Sequence, residues 1–251
     1  MHYSLSPMRL SLVIPCYNES DRIALMFNGI RSFMEEWKEG LEVIIVNDGS
    51  KDNTLALLQQ HPVTIGFPDL IRVLDQPNTG KGGALRKGVL AATGDFILTI
   101  DADMASPPSE ILKWQVMAGG TFDSNTIYIG SREHSASVIK KEGDRKVAGS
   151  VFNRIVQLLT PLKMKDTQCG FKLYPKQEAH HLFESLQTYG WAHDVELLYK
   201  AHLDKMKIIE MPLEWNAIEG SKIRLFRDGF NMMLETFRIA INTKFKYRKK
   251  H

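Results

Sequence analysis

Four short runs rich in aliphatic and β-branched residues constrain the fold more than any other feature of this chain. They are Leu10 to Pro15, Leu41 to Asp48, Ile71 to Asp75 and Asp95 to Asp101, and segments of helical pattern separate them. A run that is apolar at nearly every position belongs to a strand buried on both faces, and such strands sit in parallel sheets covered by helices. Between the runs, Asn18 or Ser20 can cap a helix reaching about Trp37, Ser50 precedes Lys51 to Gln60, and Gly82 to Ala92 stops at Thr93-Gly94. The pattern predicts an α/β chain with a Rossmann-like, mainly parallel sheet flanked by helices. In such a sheet ligands bind at the C-terminal edge of the strands.

The second half is less regular. A helix is predicted from about Ser109 to Ala118 and a strand over Thr126 to Ser131. Glu133 to Arg145 is polar and too long for a tight connection, which makes it a candidate mobile loop. An amphipathic helix around Lys146 to Leu159, a short segment Asp166 to Tyr174, and helices near Lys176 to Leu186 and Asp194 to Leu203 complete it. No Gly/Ser linker or internal repeat divides the chain, so a single domain is expected over residues 1–241.

Composition excludes several classes. With 251 residues and 43% hydrophobic content, the chain can bury a real core. A net charge of +3 is too slight for a nucleic-acid partner, which would want a clustered basic face. Cys16 and Cys169, far apart, suggest neither a zinc site nor a disulfide framework and fit a reducing, cytoplasmic setting. No signal-peptide pattern opens the sequence, and no apolar run approaches the ~18 residues of a membrane span. Phe226, Phe230, Met233, Phe237 and Ile241 recur at helical spacing before a basic tail over 242–251. They read either as a terminal helix docked on the core or, over 223–241, as a membrane-interfacial helix with its tail on anionic lipid.

The chemistry-bearing residues gather at the predicted strand ends. Asp101-Ala102-Asp103 sets two hard oxygen ligands one residue apart, suited to a divalent cation bridging a diphosphate, although a solvated turn has the same spelling. Gly80-Lys81-Gly82-Gly83 matches neither a P-loop nor a dinucleotide fingerprint. Lys81 at a helix start can meet a diphosphate, or the segment can simply cap the helix.

Pro15-Cys16-Tyr17-Asn18-Glu19, Val46-Asn47-Asp48-Gly49-Ser50 and Asp101-Ala102-Asp103 together resemble the signatures of the family 2 inverting glycosyltransferases of GT-A (nucleotide-diphospho-sugar transferase) fold. Asp166-Thr167-Gln168-Cys169-Gly170-Phe171-Lys172, Trp191 to Leu198 and Ile218 to Lys222 resemble its dolichyl-phosphate β-glucosyltransferase branch, among the polyprenyl-phosphate sugar synthases. The resemblance implies a nucleotide-sugar and metal half over 9–105 and an acceptor half over 106–222. It implies Pro15, Tyr17 and Asp48 around the base, Glu19 near the ribose, Lys81 near the diphosphate, and Asp101 and Asp103 holding Mg²⁺ or Mn²⁺. Arg132 and Arg145 would receive the acceptor phosphate, whose geometry a guanidinium fork matches. Asn47 departs from the family's first Asp, and Ala105 stands where mannosyl-transferring relatives place a Gln.

The implied reaction moves a sugar, glucose from UDP-glucose, onto a polyprenyl or dolichyl phosphate, in a peripheral enzyme on the cytosolic face of a membrane with an integral membrane partner left open. A sugar-hydroxyl acceptor is the alternative, and it would need a general base, for which Asp194 is the candidate. A non-catalytic sugar-nucleotide-binding or scaffold protein is the remaining one.

Overall fold

A computed structural model describes residues 8–37, 40–140, 145–216 and 225–248, without the side chains of 145–150, 225–228, 230 and 244–248. The four apolar runs form β1 (Leu10–Cys16), β2 (Leu41–Asp48), β3 (Ile71–Gln76) and β4 (Phe96–Thr99). Later come β5 (Thr126–Gly130), β6 (Val138–Lys140), β7 (Lys172–Pro175), β8 (Lys207–Met211) and β9 (Glu214–Asn216). Seven of them make one sheet in the order β3-β2-β1-β4-β7-β5-β8, while β6 and β9 pair as a separate ribbon. The main sheet is parallel except for β7, which runs against β4 and β5.

The unbroken apolar runs are explained by cores on both faces. Leu12 and Ile14 of β1 point to one core with Phe27, Phe33 and Trp114, and Val13 to the other with Val46, Leu85 and Leu198. Each such aliphatic or aromatic side chain contributes about 1.5–3 kcal/mol on leaving water. The helices that supply these layers are α1 (Ile23–Glu36), α2 (Thr54–Gln60), α3 (Pro62–Gly66), α4 (Lys81–Ala91), α5 (Glu110–Met117), α6 (Arg145–Leu159), α7 (Lys176–Glu184), α8 (His193–Leu203) and α9 (Leu225–Arg248).

Three local departures from the sequence reading bear on the site. The first helix begins at Ile23 after a 3₁₀ turn, Ser20–Arg22, rather than at Asn18 or Ser20. Asn18 is diverted: at φ 53° its side chain accepts from the Lys51 amide (2.7 Å) and its own amide donates to Ser50 Oγ (2.9 Å), tying the β1 exit to the β2 exit. β4 ends at Thr99, so the acidic pair lies just beyond the strand. Within the polar stretch after Glu133, Val138–Lys140 pairs with Glu214–Asn216, so part of the expected loop is ribbon; residues 141–144 lie outside the described residues.

Helix α9 carries two opposed stripes. Thr236, Ile239 and Thr243 are buried, on a helix that contacts α6 and α8, whereas Leu234, Phe237 and Ile241 are exposed. Both readings of the terminal helix thus find a face; Phe226 and Phe230 fall outside the described side chains. Among the described residues no helix is long and apolar enough to cross a membrane.

Candidate functional site

The exits of β1, β2 and β4 and the start of α4 meet at one sheet edge around a cleft of about 400 Å³. Pro15, Tyr17, Glu19, Asp48, Lys81, Asp101 and Asp103 all line it, so every donor-side residue singled out in the sequence is brought together. A volume of this order suits a nucleotide-sized ligand.

Asp48 shapes the cleft wall. Its Oδ1 accepts from Gln76 Nε2 (2.7 Å), the Thr79 amide (2.9 Å) and Thr79 Oγ1 (3.1 Å), and its Oδ2 from the Gly80 amide (2.8 Å). The carboxylate therefore organises the 78–80 turn and keeps acceptor capacity on Oδ2. Gly80 must be glycine there: φ is +97°, and a Cβ would lie 2.6 Å from the Tyr189 carbonyl oxygen. Asn47, in place of an acid, spans the neighbouring strand ends by donating to Asp75 Oδ1 (2.6 Å) and accepting from Ser50 Oγ (2.5 Å). A neutral amide can do both, whereas a carboxylate could only accept.

Lys81 leaves the first turn of α4 and places Nζ 2.5 Å from Asp101 Oδ1, beneath the Trp191 ring at 5.8 Å. Burial opposes its charge, but the carboxylates of Asp101, Asp194 and Asp103 prevail and hold its pKa above the ordinary lysine value. Asp103 is pushed the other way for a carboxylate: burial first, and the like charge of Asp101 second, raise its pKa. A divalent cation beside Asp103 would offset the burial and the like charge that raise its pKa. Among the described residues no third acidic, His or Cys side chain joins Asp101 and Asp103, so a cation here would complete its shell from ligand oxygens and water. That donor set fits Mg²⁺ or Mn²⁺ bridging a diphosphate better than it fits a protein-enclosed metal.

On the far side of the acidic pair lies a small recess of about 40 Å³, lined in part by Asp101, Asp103, Arg132, Gln168 and Trp215. Arg132 follows β5 and clasps Asp166 through Nε (2.7 Å) and Nη2 (2.9 Å), with its ring neighbour Trp215 at 5.8 Å. Burial disfavours that guanidinium, yet Asp166 overcomes it and keeps its pKa raised. Two of the five N–H donors are thus committed to Asp166, and the remaining ones can face a phosphate. Arg145 opens α6, but its side chain lies outside the described residues.

Asp194 stands apart from the other named residues. It is enclosed behind the site, where Oδ1 accepts from Lys172 Nζ at 2.7 Å and lies 3.5 Å from His193 Nε2; it lines neither cleft nor recess. Burial alone would raise its pKa, but His193, Lys172 and Lys81 carry it below the ordinary aspartate value. Lys172 also donates to the Cys169 carbonyl, so the ion pair braces the 166–171 loop.

Several contributors went unnamed in the sequence. Arg22 lines the donor cleft 3.5 Å from Glu19, an i,i+3 spacing that the sequence displayed. Asp166, Gln168 and Lys172 lay inside a quoted motif without roles. Trp215 had no local signal, because it reaches the recess through long-range contacts: the β6–β9 ribbon and the bonds of β9 to Ala105 and Ser106.

Comparison with known proteins matches residues 11–182 to the model of Glycosyl transferase family 2. The chain is similar to the dolichyl-phosphate beta-glucosyltransferase of Drosophila melanogaster, at 35% identity over 93% of this chain and 75% of the relative. It is likewise similar to that of Homo sapiens, at 36% identity over 89% of this chain and 72% of the relative. Among solved structures, glucosyl-3-phosphoglycerate synthase from Mycobacterium tuberculosis, in complex with Mn²⁺, uridine diphosphate and phosphoglyceric acid, superposes with a TM-score of 0.67 at 19% identity. That match covers 93% of this chain and 78% of the other, and it establishes the shared GT-A architecture.

Proposed function

From the premise that the chain belongs to glycosyl transferase family 2, we propose that it transfers glucose from UDP-glucose to a dolichyl or other polyprenyl phosphate, with inversion at the anomeric carbon. The observation that carries this reading is the placement of Asp101 and Asp103 between a nucleotide-sized cleft and a recess walled by Arg132. A donor's base and ribose would lie along Pro15, Tyr17, Glu19 and Asp48. Its diphosphate would lie toward Lys81 and the acidic pair, which would hold Mg²⁺ or Mn²⁺. Such an ion supplies charge neutralisation of the departing diphosphate.

A lipid phosphate is anionic at neutral pH, so its attack needs positioning more than proton removal. Arg132, braced by Asp166, is placed to offer its remaining donors to that phosphate, and Arg145 is proposed as the second arginine. Apart from Asp101 and Asp103, which would be engaged with the cation, the described recess residues include no carboxylate or histidine to act as a general base, and this favours a phosphate acceptor over a sugar hydroxyl. Asp194, the base that a hydroxyl acceptor would require, is buried against Lys172, and an ammonium so close makes a carboxylate a weak proton acceptor. A non-catalytic role fits poorly with an acidic pair kept intact beside Lys81.

We place the acceptor end against a membrane, on its cytosolic face, through the exposed Leu234, Phe237 and Ile241 of α9. An integral membrane partner would meet the same face, and co-purification from detergent extracts tests for one. The central experiment is turnover with UDP-glucose and a short polyprenyl phosphate under Mg²⁺ or Mn²⁺. Asp103→Ala should abolish metal-dependent transfer. Arg132→Ala should weaken acceptor use and leave UDP binding nearly intact; equal loss of both overturns the division of roles.

A further inference from the structure

Among the described residues, Gln168 carries a buried polar group that the fold leaves unexplained. Its Nε2 is fully enclosed and meets no hydrogen-bond partner, although buried amides are almost always paired. It belongs to the wall of the recess that also holds Asp101, Asp103 and Arg132. Its main chain is fixed: the Gln168 amide donates to Asp166 Oδ1 (3.2 Å), and that same carboxylate clamps Arg132. One buried acid therefore fixes the main chain at Gln168 and the guanidinium of Arg132 in a common frame.

What would satisfy Nε2 follows from the chemistry. An amide N–H₂ only donates, so its partner must present an acceptor atom. Asp101 is held by Lys81, and Asp103 Oδ1 by the Ala105 amide (3.0 Å). A group entering from the recess side arrives with the acidic pair between it and the donor cleft, which is the approach required of an attacking nucleophile. Beside a guanidinium, the acceptor-rich group that fits both neighbours is a phosphate.

We propose that Gln168 binds the acceptor directly: its amide turns from the enclosed position into the recess and donates from Nε2 to a non-bridging oxygen of the phosphate while Arg132 takes another, so that together they select a phosphate-bearing acceptor. This rests on the phosphate-acceptor reading above. One hydrogen bond to an anionic oxygen corresponds to about tenfold to a hundredfold in affinity.

Gln168→Met tests it, because methionine preserves length and removes the donor. Acceptor KM should rise by about tenfold or more, with donor KM and UDP affinity within about twofold, and Tm should hold or increase since an unpartnered amide has been removed. Direct binding of a short prenyl phosphate, measured by calorimetry with UDP and Mg²⁺ saturating, gives a readout independent of turnover. An unchanged acceptor KM overturns the proposal. Equal rises in donor and acceptor KM, or a lowered Tm, overturn it in favour of a merely structural amide. If the wild type binds the prenyl phosphate, Gln168→Met binds it more weakly, and neither transfers glucose, the contact stands and the proposed reaction falls. If the wild type does not bind it at all, the recess takes no phosphate and the contact is refuted.

Discussion

Replacing Lys172 by Met should be among the most damaging single changes in the molecule, and its effect should depend on pH in a diagnostic way. Lys172 Nζ lies 2.7 Å from Asp194 Oδ1, and the two side chains are 1% and 6% exposed. Removing the ammonium leaves a carboxylate enclosed with reduced compensation and frees the Cys169 carbonyl. Breaking one side of a buried pair costs about 3–5 kcal/mol. That is a third or more of the about 5–15 kcal/mol by which a typical domain is stable.

The pH dependence comes from His193, whose ring is held between Asp194 of its own helix and the charges of Lys81 on α4 and Lys172 on β7. In the wild type, burial first and then the two lysines keep His193 below its ordinary pKa despite Asp194. The unfolded chain then binds the extra proton, so wild-type stability falls as pH drops below about 6.5. Without Lys172 a lowering influence is gone and Asp194 is less compensated, so the folded-state pKa of His193 rises. Once it exceeds the unfolded value, the stability it contributes is complete below about pH 6.5 and is lost as pH rises through the folded pKa. Urea titrations near pH 6 and near pH 8, about half a unit and more to either side of that value, should show Lys172→Met losing less at the lower pH. Lys172→Met/Asp194→Leu should recover much of the loss, because an apolar pair of similar volume replaces the charges. A Lys172→Met loss under about 1 kcal/mol, or a double variant whose losses simply add, refutes the buried-pair account.

Gly80→Ala should destabilise the fold by about 1–3 kcal/mol, since the backbone there needs a positive φ and Tyr189 closes on the missing Cβ; UDP affinity should fall with it, and an unchanged Tm sinks the argument. Cys169 is buried, which pushes its thiol up to about 11. Iodoacetamide at about pH 8 should therefore modify it at least about a hundredfold more slowly in the native chain than in urea, as followed by mass spectrometry, and equal rates refute the burial reasoning.

The donor side was legible because its geometry is local. Each residue sits within a few positions of a strand whose apolar run announces it, and a parallel sheet delivers all those exits to one edge. Family 2 membership and the GT-A architecture likewise followed from contiguous motifs that the chain spells out. The recess was harder to read. Gln168 and Lys172 could be found only as letters in a motif, because their meaning depends on Asp166, Arg132 and Asp194, which other elements supply. The ribbon that carries Trp215 consists of two three-residue strands, too short for an alternating pattern to register. The role of Asp194 was obscured for a different reason: nothing in the acidic first turn of a helix distinguishes a proton acceptor from the counter-ion of a buried lysine.

The reversed strand β7 has a consequence for how the molecule assembles in time. β1 to β4 alternate with their own crossover helices, so the donor wall can form from neighbouring stretches of chain. The recess depends on β7 returning to β4, where Thr99 Oγ1 donates to the Gly170 carbonyl (3.0 Å) across 71 residues of sequence. Contacts of such separation are slow to close and tend to form late. A chain still emerging during synthesis would thus be able to build the β1–β4 wall of its nucleotide cleft early, while Gly190 and Trp191, which close that cleft, arrive only with the later chain that also completes the recess.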